Sequence, residues 1–105
     1  MAFTIGAALL DACVLAVLDK CDVYGYELTV SLKNVIDISE STLYPVLRRL
    51  QREEYLLTYD QPYNGRNRRY YSITEKGRMK LLEYRYDWEE YKTNIDKIMT
   101  GEFSL

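Results

Sequence analysis

Two stretches of this chain hold the side chains best suited to chemistry with another molecule. Residues 41–50 read STLYPVLRRL, with hydroxyl groups at the start and paired arginines near the end, and residues 68–77 read RRYYSITEKG. Guanidinium groups bind phosphate oxygens and pair bidentately with guanine, and hydroxyl groups hydrogen-bond to phosphates and base edges. Between the two stretches, Asn64-Gly65 is a turn signal that would hold basic residues at the tip of a hairpin. These groups indicate double-stranded DNA as the partner.

The net charge of −2 is the main objection to a DNA partner, because 14 Lys and Arg stand against 16 Asp and Glu in 105 residues. The charge is unevenly distributed, however. Residues 41–80 hold nine basic and four acidic side chains, a balance of +5, which leaves five basic and twelve acidic side chains, a balance of −7, elsewhere. Phosphate contact depends on the local field within about a Debye length, ~8–10 Å. The basic charge is therefore concentrated where the two stretches lie.

Metal and enzyme sites are poorly supported. Histidine is absent and Cys13 and Cys21 are the only cysteines, so a metal site would have to combine two thiolates with carboxylates at unsuitable spacing. We expect structural thiols, with a redox-sensing pair as the less favoured alternative, and neither a metal nor a cofactor. No nucleophile motif or phosphate loop is present, so the sequence argues against an enzyme.

The apolar stretch over residues 5–18 does not predict a membrane segment. Asp11 interrupts it, and it has neither a basic leader nor a cleavage site, so a membrane span and a signal peptide are both disfavoured. The sequence therefore predicts a cytoplasmic protein without a membrane partner.

Two helices are predicted ahead of the first basic stretch. Residues 8–18 repeat apolar side chains at helical spacing, and Asp22 is suited to cap a second helix that ends near Asn34. We expect Tyr26 of the second helix to lie in the core. Residues 36–38 form a short extended link to the next element.

The third helix should carry the first set of polar groups outward. Ser39 or Ser41 caps it, and Pro45 falls in its first turn, where a missing N–H costs little. Its inward residues are Leu43, Val46, Leu47 and Leu50. Its outward residues are Thr42, Tyr44, Pro45, Arg48, Arg49 and Arg52.

A hairpin and a long helix complete the chain. Residues 56–59 and 69–73 are rich in β-forming side chains and flank the turn, so they predict a hairpin whose tip is a wing. Thr74 is a suitable cap for a last helix that runs to about Met99. The fold class is therefore mainly α with a β-hairpin wing, a winged helix-turn-helix followed by a C-terminal helix.

The last helix has a seam that requires a partner. Its apolar side chains recur at spacings of 3, 4, 3, 4 and 3, the pattern of a helix that packs along another helix. The seam consists of Leu81, Tyr84, Trp88, Tyr91, Ile95 and Ile98. The short helices and the hairpin cannot readily cover it, so we expect burial against the first helix, through Leu9, and against a second copy of the chain. Packing within one chain is the alternative.

The chain length allows one compact core. With 105 residues, 48% of them apolar, and no Gly- or Pro-rich linker, we expect a single domain over residues 1–105. Residues 1–74 would form the winged helix-turn-helix, 75–99 the dimerisation helix and 100–105 a tail.

Four signals, taken in order, resemble the PadR family of bacterial transcriptional regulators. They are VYGYEL at residues 23–28, STLYPVLRRL at 41–50, RRYYSITEKG at 68–77 and the late Trp88. The lack of an added C-terminal domain is similar to the small subfamily. The resemblance implies a homodimer with two winged helices that represses transcription from a near-palindromic operator, often under the control of a small ligand.

Two positions depart from the family pattern. Glu54 stands near the end of the third helix where members usually have glycine, so either Glu54 takes a left-handed conformation or the helix exit differs. Ser41 stands where a small residue such as glycine is common, and it keeps that surface small and polar.

The residues expected to contact DNA lie on the second helix, the third helix and the wing. Arg48 is the candidate for a base contact, whereas Arg49 and Arg52 can instead be solvated or pair with Glu53. Hydroxyl groups at a helix start can be simple caps, and wing cations can be simply solvated. The full set is Tyr24, Ser39, Ser41, Thr42, Tyr44, Arg48, Arg49, Asn64, Gly65, Arg66 and Arg68.

Aromatic residues of the last helix offer a second kind of site. Tyr84, Trp88 and Tyr91 can stack on a planar apolar effector at the dimer interface, as the resemblance implies, or they can form dimer core. The alternative function for the whole chain is a winged helix that binds protein partners and no DNA.

Overall fold

The computed structural model describes residues 6–105. Residues 1–5 lie outside the described residues; they include the first residue of the apolar stretch 5–18 and the start of the predicted segment 1–74. Four helices and three strands follow one another as α1 (Ala7–Lys20), β1 (Val23–Tyr24), α2 (Gly25–Lys33), α3 (Glu40–Arg52), β2 (Leu56–Tyr63), β3 (Arg66–Ile73) and α4 (Glu75–Met99). The mainly helical architecture with a hairpin wing and a long last helix is confirmed. Strand β1 was not predicted.

A leucine-rich core holds the first three helices together. Helix α1 buries Leu10, Val14, Leu15 and Leu18. Helix α3 buries Leu43, Val46, Leu47 and Leu50, the four residues predicted to point inward. Each fully buried leucine contributes roughly 1.5–3 kcal/mol to folding. Because one face of α3 is committed to this core, the opposite face is directed outward.

Helix α3 begins at a serine cap, as predicted. The Ser39 hydroxyl accepts a hydrogen bond from the Thr42 N–H at 3.3 Å, and the first helical residue is Glu40. Pro45 is therefore the sixth residue of the helix and lies in its second turn, which corrects the prediction of the first turn. Its ring nitrogen cannot donate to the Ser41 carbonyl, which lies at the exposed start of the helix, where water can take its place.

The exit of α3 has the geometry of a Schellman motif with a glutamate at its left-handed position. The Glu54 N–H bonds to the Gln51 carbonyl at 3.0 Å and the Tyr55 N–H to the Leu50 carbonyl at 2.9 Å. Glu54 has a φ of 65°, so the predicted left-handed conformation is confirmed. The end of α4 has the same pair of bonds around Gly101, with a φ of 79°. Glycine adopts this conformation without the Cβ clash that a glutamate meets.

The start of α2 differs from the prediction. Tyr24 precedes the helix and no side chain caps it, so the prediction that Asp22 is the cap was wrong. Asp22 instead accepts a hydrogen bond from the Tyr59 hydroxyl at 2.6 Å. Tyr26 is exposed rather than part of the core, because the buried face of α2 consists of Leu28, Thr29 and Leu32.

The three strands form an antiparallel sheet in the order β1-β3-β2. The hairpin is longer than predicted, since pairing continues to the last partners, Tyr63 and Arg66. Asn64 and Gly65 connect the strands with φ angles of 50° and 78°, and positive values at both positions are those of a type I′ turn. The predicted turn is confirmed.

Helix α4 starts against the hairpin and then leaves the core. The Thr74 hydroxyl accepts from the Gly77 N–H at 3.0 Å, as predicted, and donates to the Glu54 carbonyl at 2.7 Å. A Cβ at Gly77 would lie 2.2 Å from the Tyr55 carbonyl oxygen, so only glycine allows this approach. Leu81 is 2% exposed and is the last fully buried residue.

The rest of α4 extends away from the core and gives the chain an elongated shape. The helix is 25 residues long, about 37 Å at 1.5 Å per residue. The principal extents are 62 × 29 × 21 Å, and the radius of gyration is 16.0 Å, against about 13 Å for a compact domain of this length. No helix of residues 6–105 has the length and apolar character needed to cross a membrane.

Candidate nucleic-acid interface

A cluster of hydroxyl groups marks the exposed start of α3. The Ser39 Oγ lies 2.9 Å from the Ser41 Oγ and 3.1 Å from the Thr42 Oγ1, and all three residues are exposed. Because Ser39 already caps the helix, Ser41 and Thr42 have more freedom to bond to another molecule. The partial positive charge of the helix start favours an anion there.

Tyr44 and Arg48 continue this outward face one turn further along α3. Both are exposed, and within residues 6–105 Arg48 has no ion-pair partner. Burial is the main cause that raises the pKa of Tyr71 on β3, and the positive charges of Arg69 and Arg48 oppose it. Tyr71 packs on α2, where a Cβ at Gly25 would lie 3.2 Å from the Tyr71 ring. Arg48 is therefore an exposed cation on α3, while Tyr71 of the sheet packs against α2.

Arg49 does not share this outward position. Its Nη2 donates to the Asp11 Oδ1 at 2.5 Å, and its Nη1 lies 3.6 Å from a Glu53 carboxylate oxygen. The hydrogen bond to Asp11 raises the pKa of Arg49. The prediction that Arg49 lies on the outward face of α3 is corrected, because the 4% exposed Asp11 needs a charged partner and Arg49 supplies it. Contact of Arg49 with DNA stays a prediction. An aspartate within an apolar helix was the sequence signal for this pair.

The wing holds its cations in two different ways. Arg66 is exposed next to the turn formed by Asn64 and Gly65. The Arg68 guanidinium carbon lies 3.8 Å from the centre of the Tyr63 ring and 4.5 Å from that of Tyr24. Arg68 is thus held between two aromatic rings by cation–π contacts, while Arg66 is exposed to solvent.

A row of tyrosines crosses the outer face of the sheet, one from each strand. The Tyr24 and Tyr70 ring centroids are 6.0 Å apart, and Tyr70 stacks on Tyr59 at 5.6 Å with an interplanar angle of 11°. The hydrogen bond from Tyr59 to Asp22 raises the pKa of Tyr59. The sequence identified Tyr24 but not Tyr59 and Tyr70. Their position beside Tyr24 depends on the pairing of β1 with β3, which the sequence did not predict. The row ties the base of the wing to the start of α2.

The residues of the predicted seam have unequal environments in the single chain. Leu81 is fully buried, Tyr84 is half-buried, and the other four are exposed: Trp88, Tyr91, Ile95 and Ile98. Leu9, the residue of α1 predicted to pack on the seam, is half-buried. Burial is the main cause that raises the pKa of Tyr84. The seam therefore starts in the core of the chain and continues onto free surface.

A groove of about 470 Å³ separates the start of α1 from the middle of α4. Its α4 wall contains Tyr84, Trp88 and Tyr91, the three residues predicted for an effector. Its α1 wall is made of small and apolar residues: Gly6, Ala7, Ala8, Leu9 and Ala12. Within the described part of the chain, His, Cys, Asp and Glu side chains form no group of three or more that could hold a metal ion.

Comparison with known proteins identifies relatives along most of the chain. Residues 14–83, 70 of the 105, match the family model described as Transcriptional regulator PadR-like family. The chain is 39% identical over 75 residues to Transcriptional regulator Rv3488 of Mycobacterium tuberculosis, which covers 70% of each protein. It is 36% identical over 97 residues to Uncharacterized protein X of Lysinibacillus sphaericus, which covers 88% of this chain and 89% of that protein.

Solved structures agree with the sequence relatives. The crystal structure of smu.1704 from Streptococcus mutans superposes with a TM-score of 0.91 at 38% identity and covers 100% of this chain and 99% of that one. A PadR-like transcriptional regulator from Bacillus cereus superposes with a TM-score of 0.79 at 32% identity and covers 87% and 91%. The chain therefore belongs to the PadR-like family of transcriptional regulators, and it is a DNA-binding regulator with a winged-helix fold.

Proposed function

We propose that this regulator is a homodimeric repressor that binds a near-palindromic operator through α3 and the wing of each protomer. The observation that carries the proposal is the two-sided character of α3, which buries four apolar residues and exposes Thr42, Tyr44 and Arg48 opposite them. An exposed arginine without an ion-pair partner in the described chain is available to pair bidentately with guanine in the major groove.

The contacts divide into base reading and backbone binding. Arg48 reads a base, and Ser41, Thr42 and Tyr44 bond to phosphates at the start of α3. Ser39 contributes less, because its oxygen caps the helix. The wing residues Asn64, Gly65, Arg66 and Arg68 contact the backbone or the minor groove beside the half-site, and Tyr24 orients Arg68.

A dimer through α4 would cover the exposed part of the seam. Beyond Tyr84 the remaining seam residues are 39–59% exposed in the single chain, and an exposed apolar stripe of this length is typical of an interaction surface. A second copy related by a two-fold axis presents the same stripe, so the two α4 helices can bury one another. The two α3 helices then bind half-sites about one helical turn of DNA apart, roughly 34–36 Å.

The groove between α1 and α4 suits a small planar apolar effector that releases the repressor from DNA. Its volume lies in the range of ligand pockets, about 300–1,000 Å³, and its aromatic wall can stack on a flat molecule. Trp88 is the only tryptophan, so its fluorescence reports directly on this groove. Quenching by planar apolar compounds is expected if the groove stays open in the dimer, and no quenching if Trp88 is dimer core.

Binding to the DNA upstream of its own gene tests the function. Fluorescence anisotropy with that fragment should give an affinity that falls linearly with salt on a double logarithmic scale, with a slope near −0.9 for each phosphate neutralised. An unrelated fragment of equal length is the control and should bind more weakly. An affinity that does not change with salt would contradict DNA binding by the basic segment, and the protein-binding alternative would then be favoured.

Substitutions separate the two kinds of contact. Arg48→Ala should lower specific affinity by roughly 1–3 kcal/mol and relax the preference at one base position. Arg66→Ala should weaken binding to all sequences similarly. Arg85 of α4 is exposed and lies outside the proposed DNA interface, so Arg85→Ala is the matched control for the lost charge. If Arg48→Ala kept the sequence preference and Arg66→Ala changed it, the roles of helix and wing would be exchanged.

A further inference from the structure

A buried carboxylate lies where three helices meet. Asp11 of α1 accepts from Arg49 of α3 at 2.5 Å through one oxygen, and its other oxygen lies 3.5 Å from the Tyr84 hydroxyl of α4, a long hydrogen bond. Asp11 is 4% exposed, whereas the Arg49 side chain keeps about a third of its surface in contact with solvent. The three side chains form a continuous polar connection from α3 through α1 to α4.

Stability alone does not account for this arrangement. Removing charges from water costs free energy that a buried ion pair often fails to recover, and apolar side chains of similar size can serve as well or better. What the pair adds is direction, because a guanidinium bonds to a carboxylate only in a defined geometry. A registry role for a buried ionic group is the best supported of its uses.

The neighbour of Arg49 on the helix is the residue assigned to base reading. Consecutive helix residues point about 100° apart, so a bond that holds Arg49 inward also sets the direction in which Arg48 leaves α3. Rotation of α3 about its axis would move both together. Apolar packing of leucines tolerates such small rotations more easily than a hydrogen-bonded ion pair does.

We propose that Asp11 and Arg49 are positioning residues that set the orientation of Arg48 on the DNA, and that Tyr84 extends this control to α4. The proposal rests on the proposed function of α3. It assigns base discrimination partly to residues that do not touch DNA, and it connects the helix proposed for dimerisation with the helix proposed for recognition. Loss of the connection leaves phosphate contacts in place, so it lowers specific affinity more than non-specific affinity.

The test is the ratio of the affinity for the operator to the affinity for an unrelated duplex. Thermal stability and oligomeric state are measured for the same variants as controls. Asp11→Ala combined with Arg49→Met removes both charges and leaves no buried ion unpaired, since Glu53, the other partner of Arg49, is exposed. We expect this double variant to fold with a melting midpoint close to that of the unaltered protein and to lose at least 10-fold in the ratio. A folded double variant with an unaltered ratio would overturn the proposal.

Two milder variants keep the test decisive if the double variant fails to fold. Arg49→Lys keeps the charge without the planar fork, and Tyr84→Phe removes only the hydroxyl. Each should leave the fold intact and lower the ratio of operator to unrelated-duplex affinity several-fold. Because the residues act as one connection, the loss in the variant that combines both changes should differ from the product of the two single losses. Two folded variants with the unaltered ratio would reject the positioning role.

The outcome is separable from failure of the proposed function. If the unaltered protein binds its operator and an unrelated duplex equally, the proposed function fails before any variant is compared. If the unaltered protein discriminates and the variants discriminate equally well, only the positioning role fails. Arg85→Ala again controls for a lost arginine, because Arg85 bonds to Asp19 on the surface and has no contact with Asp11.

Discussion

Ile95→Glu is the sharpest test of the proposed dimer, because Ile95 belongs to the seam and lies beyond the part of α4 that the chain buries itself. Leu81 is unsuitable for this purpose, since its loss would damage the core of the single chain. Ile95 is 40% exposed. Its replacement should therefore leave the folded protomer almost unchanged and act on association.

The magnitude follows from burial and symmetry. Full burial of an isoleucine contributes roughly 1.5–3 kcal/mol, so covering the 40% that is exposed would contribute about 0.6–1.2 kcal/mol per protomer. A two-fold interface counts each substitution twice, for about 1–2.5 kcal/mol. Desolvating two facing carboxylates adds several kcal/mol. A total near 4 kcal/mol or more raises the dimer dissociation constant by about a thousandfold.

Sedimentation equilibrium at micromolar concentration measures this change directly, with circular dichroism as the check on folding. Leu82→Glu is the matched control, because Leu82 is 65% exposed and lies about 140° around α4 from Ile95 at 100° per residue. We expect a dimer for the control and a monomer with weakened operator binding for Ile95→Glu. An unchanged dimer in Ile95→Glu, or equal dissociation in both variants, would refute the seam as the interface.

Three further predictions concern backbone strain, the wing and the thiols. Glu54→Gly should raise the free energy of unfolding by about 0.5–1 kcal/mol and the melting midpoint by roughly 2–6 °C. Glycine removes the strain of the left-handed backbone conformation at some entropic cost. A lower midpoint in calorimetry would contradict this. Tyr63→Ala should weaken DNA binding by about 0.5–1 kcal/mol, because it releases Arg68 from the aromatic ring. Tyr63→Phe keeps the ring and should keep the DNA affinity. Equal DNA titration curves for the two variants would speak against the cation–π contact. A thiol reagent at mildly alkaline pH should modify the exposed Cys21 faster than Cys13, because burial raises the pKa of the Cys13 thiol and lowers its thiolate fraction; mass spectrometry that finds equal rates would argue against this environment.

Much of the fold was accessible from the sequence because the deciding interactions are local. The Ser39 cap, the Asn64-Gly65 turn and the Thr74 cap each act within four residues, and the structure has all three. The apolar period of α3 and the length of α4 followed from side-chain spacing along a single helix. The left-handed Glu54 was one of two alternatives raised by the resemblance to a family that usually has glycine at this helix exit. Such features require no knowledge of what packs against them.

Other features depend on which elements come together, and the sequence order does not specify that. Strand β1 is only two residues long and is defined by its pairing with β3, and Asp22, the residue just before it, accepts a hydrogen bond from Tyr59 of β2. The different environments of Arg48 and Arg49 have the same origin, since the two point about 100° apart on one helix and the buried carboxylate of Asp11, 38 residues away, binds Arg49. The sequence by itself determined the elements, their caps and the concentration of basic charge. The tertiary structure decided which cations face outward, because a buried charge must find its partner across the fold and that choice is made in space rather than along the chain.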